Sequence, residues 1–196
     1  MGGVSALFYL IRRHYELHGD LQGRKKLQKL MFLVEHLDPE RGRLTPSTGL
    51  TGYKFVIWLY GPFSQSIYKD LDRLVDEGFV EEEVVSGERS PRFRNLNLLL
   101  YDDDGYPKLM YIYRPTRPKF LIFKLRRKAN MISEPSPPVK EKIDLILDRF
   151  GHQPAWELER NVLEMLGLSP EEKLEWMGKS VDEYLRYKLL SGKRHQ

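Results

Sequence analysis

Between residues 60 and 80 the chain reads Tyr-Gly-Pro-Phe-Ser-Gln-Ser-Ile-Tyr-Lys-Asp-Leu-Asp-Arg-Leu-Val-Asp-Glu-Gly-Phe-Val, an order that permits few local structures. Gly61-Pro62 breaks the backbone. Phe63, Ile67, Leu71, Leu74 and Val75 then recur at helical spacing, which puts one apolar stripe against a core. Ser64 stands where such a helix needs an N-terminal cap, and Gly78 where its end needs a left-handed residue. Phe79, Val80, Val84 and Val85 continue as a strand. The spacing predicts a helix over 64–77 leading into a hairpin.

The tip of that hairpin is Ser86-Gly87-Glu88-Arg89-Ser90-Pro91-Arg92-Phe93-Arg94, turn chemistry followed by spaced arginines. Helix, glycine and basic hairpin in this order match the recognition helix and wing of a winged-helix domain. Leu96, Leu98 and Leu100 alternate as a further strand. Asp102-Asp103-Asp104-Gly105 reads as a turn rather than a cation site, and Leu109 to Tyr113 returns as a strand.

Upstream, residues 4–18 form a helix with Leu7, Phe8, Leu10, Ile11 and Tyr15 inward. His14 and His18 lie one turn apart, a metal-ligand spacing that lacks a third ligand nearby. Gly23 opens a second helix through Leu37. Leu27, Leu30, Met31 and Val34 make one stripe while Phe32 and Leu33 fall on the other side, the pattern of a helix at the centre of a bundle. Its first turn carries Arg24, Lys25 and Lys26, cations at the positive end of the helix dipole. Phosphate contact and snorkelling of long side chains explain that placement equally well. Residues 38–52 form a loop set, and Tyr53 to Leu59 is either a short strand or a packed apolar segment.

The 196 residues, 41% hydrophobic and 31% charged, allow one domain with additions or two small ones, with a real core in either case. The absence of cysteine excludes disulfides, a thiolate nucleophile and cysteine-ligated metal. No apolar run approaches the ~18 residues of a membrane span. Met1-Gly2-Gly3 leads directly into an amphipathic pattern, so the expectation is a cytoplasmic protein. The net charge of +4 is modest, but eleven Lys or Arg fall between Ser86 and Asn130 against Glu88 and Asp102 to Asp104. That patch favours a polyanion, or is a basic β-surface neutralised by acidic helices.

Two short motifs carry a family resemblance. Gly23-Arg24-Lys25-Lys26-Leu27-Gln28-Lys29-Leu30-Met31-Phe32 resembles the "G-x-x-K-L-Q-K-L-x-Y/F" helix of the Panacea (SocA-like) antitoxin domains and the related YwgA-like proteins. Tyr60-Gly61-Pro62, with Tyr68, Asp70-Leu71 and Leu74 after it, resembles their "Y-G-P … L" element. The likeness covers residues 5–80, with echoes at Phe150-Gly151 and Trp156-Glu157-Leu158. It implies a helical domain without enzymatic activity that acts by binding a toxin or serves as a regulator of winged-helix character. The long basic β-region departs from the compact antitoxin pattern.

The outward face of helix 64–77 offers Gln65, Ser66, Lys69 and Arg73, side chains suited to reading a major groove. Asp70, Asp72, Asp76 and Glu77, then Glu81-Glu82-Glu83, would repel phosphates, so only the first two turns can face DNA. Such a mixed face also suits a protein partner. Arg89, Arg92 and Arg94 on the wing, with Arg126, Arg127 and Lys128 beyond the alternating stretch Phe120 to Leu125, would hold phosphates. Tyrosines and phenylalanines interleaved with arginine could also stack on single-stranded bases, although strand aromatics are usually core.

Glu134-Pro135-Ser136-Pro137-Pro138 reads as a stiff linker. After it, helices begin near Val139 and at Pro154, and two capping boxes at Ser169/Glu172 and Ser180/Glu183 start two more. They either pack on the first domain or pair with a second copy, as a homodimer. There is no Gly-rich phosphate loop, nucleophile elbow or catalytic carboxylate pair. The expectation is an α+β protein: a winged-helix-like domain with a basic β-region over 1–130 and a helical segment over 131–196. It is expected to be non-enzymatic, with no cofactor or metal, binding double-stranded DNA in regulation. The alternative is an antitoxin-like or adaptor module whose partner is a protein.

Overall fold

A computed structural model describes residues 2–86, 109–116 and 132–192. The architecture is built around α2 (Arg24–His36), in which every residue from Lys26 to His36 is buried. A helix apolar nearly all round its C-terminal half cannot lie on a surface. Neighbours cover it on several sides: α4 (Pro137–Phe150), α5 (Ala155–Leu166) and the strand β5 (Gly61–Phe63). The first helix, α1 (Gly2–His18), packs on α4, on α3 (Gln65–Asp76) and on the strand β7 (Leu109–Pro115).

The largest sheet is small and antiparallel. Its order is β1 (Leu21–Gln22), β7, then β6 (Val80–Ser86), so the strand between α1 and α2 joins the outer side of the hairpin that follows α3. Leu21 pairs with Tyr113 and Glu82 also pairs with Tyr113, from the opposite edge of β7. The partner of β7 is thus the strand directly after α3; Leu96 to Leu100 lies outside the described residues. Two further ladders form between α2 and α3. One joins β2 (Leu37–Asp38) to β3 (Arg43–Leu44), and the other joins β4 (Val56–Trp58) to β5. Gly61-Pro62 therefore continues a strand instead of only breaking one. Gly61 has φ +83, and a Cβ there would lie 3.0 Å from the Leu163 side chain, so glycine is needed for conformation and for space.

The ends of α3 follow the sequence reading in part. Gly78 adopts φ +78 beyond its C-terminus, as a left-handed cap requires. Ser64 holds the extended N-cap conformation, yet its hydroxyl makes no capping bond and is buried without a partner among the described residues. Among the described residues the seven helices are completed by α6 (Pro170–Glu175) and α7 (Val181–Gly192). Ser169 and Glu172 form the expected reciprocal capping box. At Ser180 the backbone bridges Val56, tying the chain before α7 to β4.

The proline stretch is not a free linker. Pro137 and Pro138 are the first positions of α4, where the missing N–H costs nothing. Just before them Glu134 pairs with Arg12 of α1 at 3.1 Å and Lys140 of α4 at 2.7 Å. One apolar core joins Leu7, Leu10 and Ile11 of α1 and the buried face of α2 to Ile143, Ile146 and Leu147 of α4 and to Leu158 and Val162 of α5. No helix among the described residues is long and apolar enough to cross a membrane.

Candidate nucleic-acid interface

α3 buries Ile67, Leu71 and Leu74, exposes Lys69, Asp72 and Arg73 between them, and keeps Tyr68 and Asp70 half-buried. Gln65, Ser66, Lys69 and Arg73 all lie on that exposed side, spaced i, i+1, i+4 and i+8, which places them along one face of the helix. Arg73 also reaches Glu77 one turn on, at 2.9 Å. The acidic residues on α3 divide. Asp70 accepts a hydrogen bond from the Tyr53 hydroxyl at 2.7 Å, so its charge is turned to the interior. Asp72 lies 3.7 Å from Arg24, and Asp76 is exposed. Arg89, Arg92, Arg94, Arg126, Arg127 and Lys128 lie outside the described residues.

What aims α3 is a set of polar side chains on α2 that the sequence pattern did not single out as buried. Gln28, 2% exposed, grips the start of α3 twice. Its Oε1 accepts from the Ser64 N–H at 3.0 Å and its Nε2 donates to the Ser64 carbonyl at 2.9 Å. Lys29 donates to the Pro62 carbonyl at 2.9 Å, and Lys26 to the Gly151 carbonyl at 2.6 Å. Burial pushes both ammonium groups down to about 8. The two motifs, Lys26-Leu27-Gln28-Lys29 and Tyr60-Gly61-Pro62, thus meet in space. Polar residues at i, i+2 and i+3 within an apolar helix were the available signal: each is a buried group that must find a partner.

The cations in the first turn of α2 have partners within the chain. Arg24 donates to the Tyr113 hydroxyl at 2.8 Å and to Glu82 at 3.1 Å, and its guanidinium lies 4.4 Å from the centre of the Tyr111 ring. Lys25 pairs with Glu159 of α5 at 3.0 Å. These cations fasten the helix to its neighbours. At the other end of α2 the buried Glu35 organises the loop before β4. It accepts from the Ser47 hydroxyl, the Leu50 and Thr51 N–H groups and the Thr51 hydroxyl. Burial alone would raise its carboxyl, but the hydrogen bonds from Ser47 and Thr51 hold it below the ordinary value.

His14 and His18 are occupied by the backbone. The His14 Nδ1 and Nε2 face the Gly19 and Gly151 carbonyls at 3.0 and 3.2 Å, and His18 Nε2 faces the Leu147 carbonyl at 3.0 Å. Burial, with Lys26 close by, lowers His14 to about 4 and keeps it neutral. Gly151 must be small here, since a Cβ would collide with the His18 ring. Comparison of the chain with protein-family models, with curated proteins and with solved structures returned no match.

Proposed function

We propose that this chain is a non-enzymatic regulator that binds double-stranded DNA through a winged-helix-like unit, with α3 as its recognition helix. The observation that carries the reading is topological. With the four short strands of residues 37–63 set aside, the order helix, strand, helix, helix, strand, strand, with β1 paired to the outer side of β7, supports a winged-helix-like reading. It leaves α3 with an outward face of Gln65, Ser66, Lys69 and Arg73, residues that hydrogen-bond base edges and phosphates. Residues 37–63, inserted between α2 and α3, hold two small antiparallel ladders of their own. The chemistry asked of the molecule is positioning and charge, and no nucleophile or metal is needed.

Fluorescence anisotropy with labelled duplex tests this across a salt series, with unlabelled competitor. Binding tighter than ~10 μM near physiological salt, weakening steeply as salt rises, is expected. Lys69→Glu with Arg73→Glu should weaken it at least tenfold, about 1.4 kcal/mol, and flatten the salt slope by roughly two phosphate contacts. No binding even at low salt would sink the proposal.

A second reading rests on a different observation. Trp58, Leu59 and Tyr60 are 45%, 57% and 55% exposed at the β4–β5 turn, an apolar tip suited to a protein partner. Under the Panacea-like reading this tip docks a toxin or adaptor target. Trp58→Ala would then abolish a purified complex while leaving duplex binding intact.

A further inference from the structure

Where α1, α2 and the α4–α5 turn converge, the described residues enclose a cleft of about 780 Å³. That volume is in the range of small-molecule sites. Its character is set by two kinds of side chain. Lys26 lines it, 7% exposed, with one of its three N–H donors given to the Gly151 carbonyl. Among the described residues no carboxylate lies within ion-pair distance of that ammonium, whereas Lys25 and Arg24 beside it both have one. The one acidic residue in the lining, Asp20, is 3.7 Å from Arg114. The rest of the wall includes Tyr68, Tyr111 and Trp156, the last 52% exposed.

A buried cation without a counter-charge is costly unless something supplies one. The Arg24 guanidinium covers the Tyr111 and Tyr68 rings at 4.4 and 5.4 Å, and the half-exposed Trp156 is the aromatic side chain left in the lining to favour a flat ring. We propose that this cleft binds a small ligand that joins a planar ring to a phosphate, the chemistry of a nucleotide. The anionic end meets the buried Lys26, and the ring lies against the half-exposed Trp156. None of Gln65, Ser66, Lys69 and Arg73 lines the cleft, and the proposal does not depend on DNA binding: a chain that bound no duplex would still bind the nucleotide.

Isothermal titration calorimetry of the full chain with the four nucleoside 5′-monophosphates is the test, with inorganic phosphate and the matching nucleoside as comparators. At least one monophosphate should bind roughly tenfold or more tighter than either comparator, because charge and ring act together. Lys26→Met should cost about tenfold or more in affinity through the lost charge-assisted bond. Should that variant fail to fold by circular dichroism, Trp156→Ala, on an exposed side chain, should still weaken binding severalfold. The proposal is overturned if no monophosphate binds better than phosphate alone. It is equally overturned if the variants that fold bind the monophosphate as tightly as the parent.

Discussion

Replacing Gln28 by leucine isolates the clamp between the central helix and the start of α3. The two side chains are close in volume, so little packing is lost, but both hydrogen bonds to Ser64 disappear. The Ser64 N–H is then left buried, and Ser64 is only 2% exposed with a hydroxyl that already lacks a partner among the described residues. An unsatisfied buried donor costs about 1–3 kcal/mol and the second lost bond about 1 kcal/mol, partly offset by the added apolar burial. The net expectation is a loss of about 2–3 kcal/mol, or roughly 4–12 °C in Tm for a chain of this size. Urea unfolding followed by far-UV circular dichroism measures it, with the slope unchanged between variant and parent. Gln28→Glu sharpens the argument. Its carboxylate accepts from Ser64 but cannot donate, so its deficit relative to the parent should shrink as pH falls and the group protonates. A Gln28→Leu loss below ~0.5 kcal/mol would refute the reasoning, since it would mean that the Ser64 backbone finds other partners at no cost.

Two further outcomes follow from the buried charges. Glu35→Gln keeps the shape but removes the charge that four donors share, and should destabilise by about 2–4 kcal/mol, with the parent losing that advantage progressively as pH falls through its lowered carboxyl value; equal stability of the two chains at neutral pH would contradict the assignment. Lys26 and Lys29 titrate near 8 in the fold against an ordinary 10.5, so between those values the unfolded chain holds more protons and stability rises with pH. The gain is complete only above the ordinary value and disappears as pH falls through about 8. Urea midpoints should climb from about pH 7.5 to 9.5 and climb less in Lys29→Met, whereas a profile unaltered by that substitution would count against the burial of this lysine.

The elements with strong periodicity were legible. Helix 64–77 appears as α3 within one residue at each end, Gly78 terminates it, and the all-round apolar pattern placed α2 at the centre. The α+β class followed from helices and alternating strands in the same chain. Three things were not legible, each for a physical reason. Strands of two or three residues, such as β1 and β2, are too short to show alternation. Ser64 was expected to cap by its own side chain because capping was read locally, while the group that satisfies it comes from residue 28. Lys26 and Lys29 look like surface residues in a list of charges; only the packing of α4, α5 and β5 around them shows that they are inside. Of the candidate site, the α3 face was readable from the helical repeat, and Arg89, Arg92 and Arg94 lie outside the described residues.

The arrangement of α1 has a consequence for how the chain is made. Tyr9 and Arg13 both bond Asp144, His18 faces the Leu147 carbonyl and His14 that of Gly151. α1 is therefore completed by residues that leave the ribosome more than a hundred positions later. During that interval the parts of its surface and of α2 that α4 and α5 cover stay open, and closing so long a loop makes for slow folding. A nascent chain stalled before α4 would expose both surfaces, so chaperone occupancy should fall abruptly as residues 137–166 emerge.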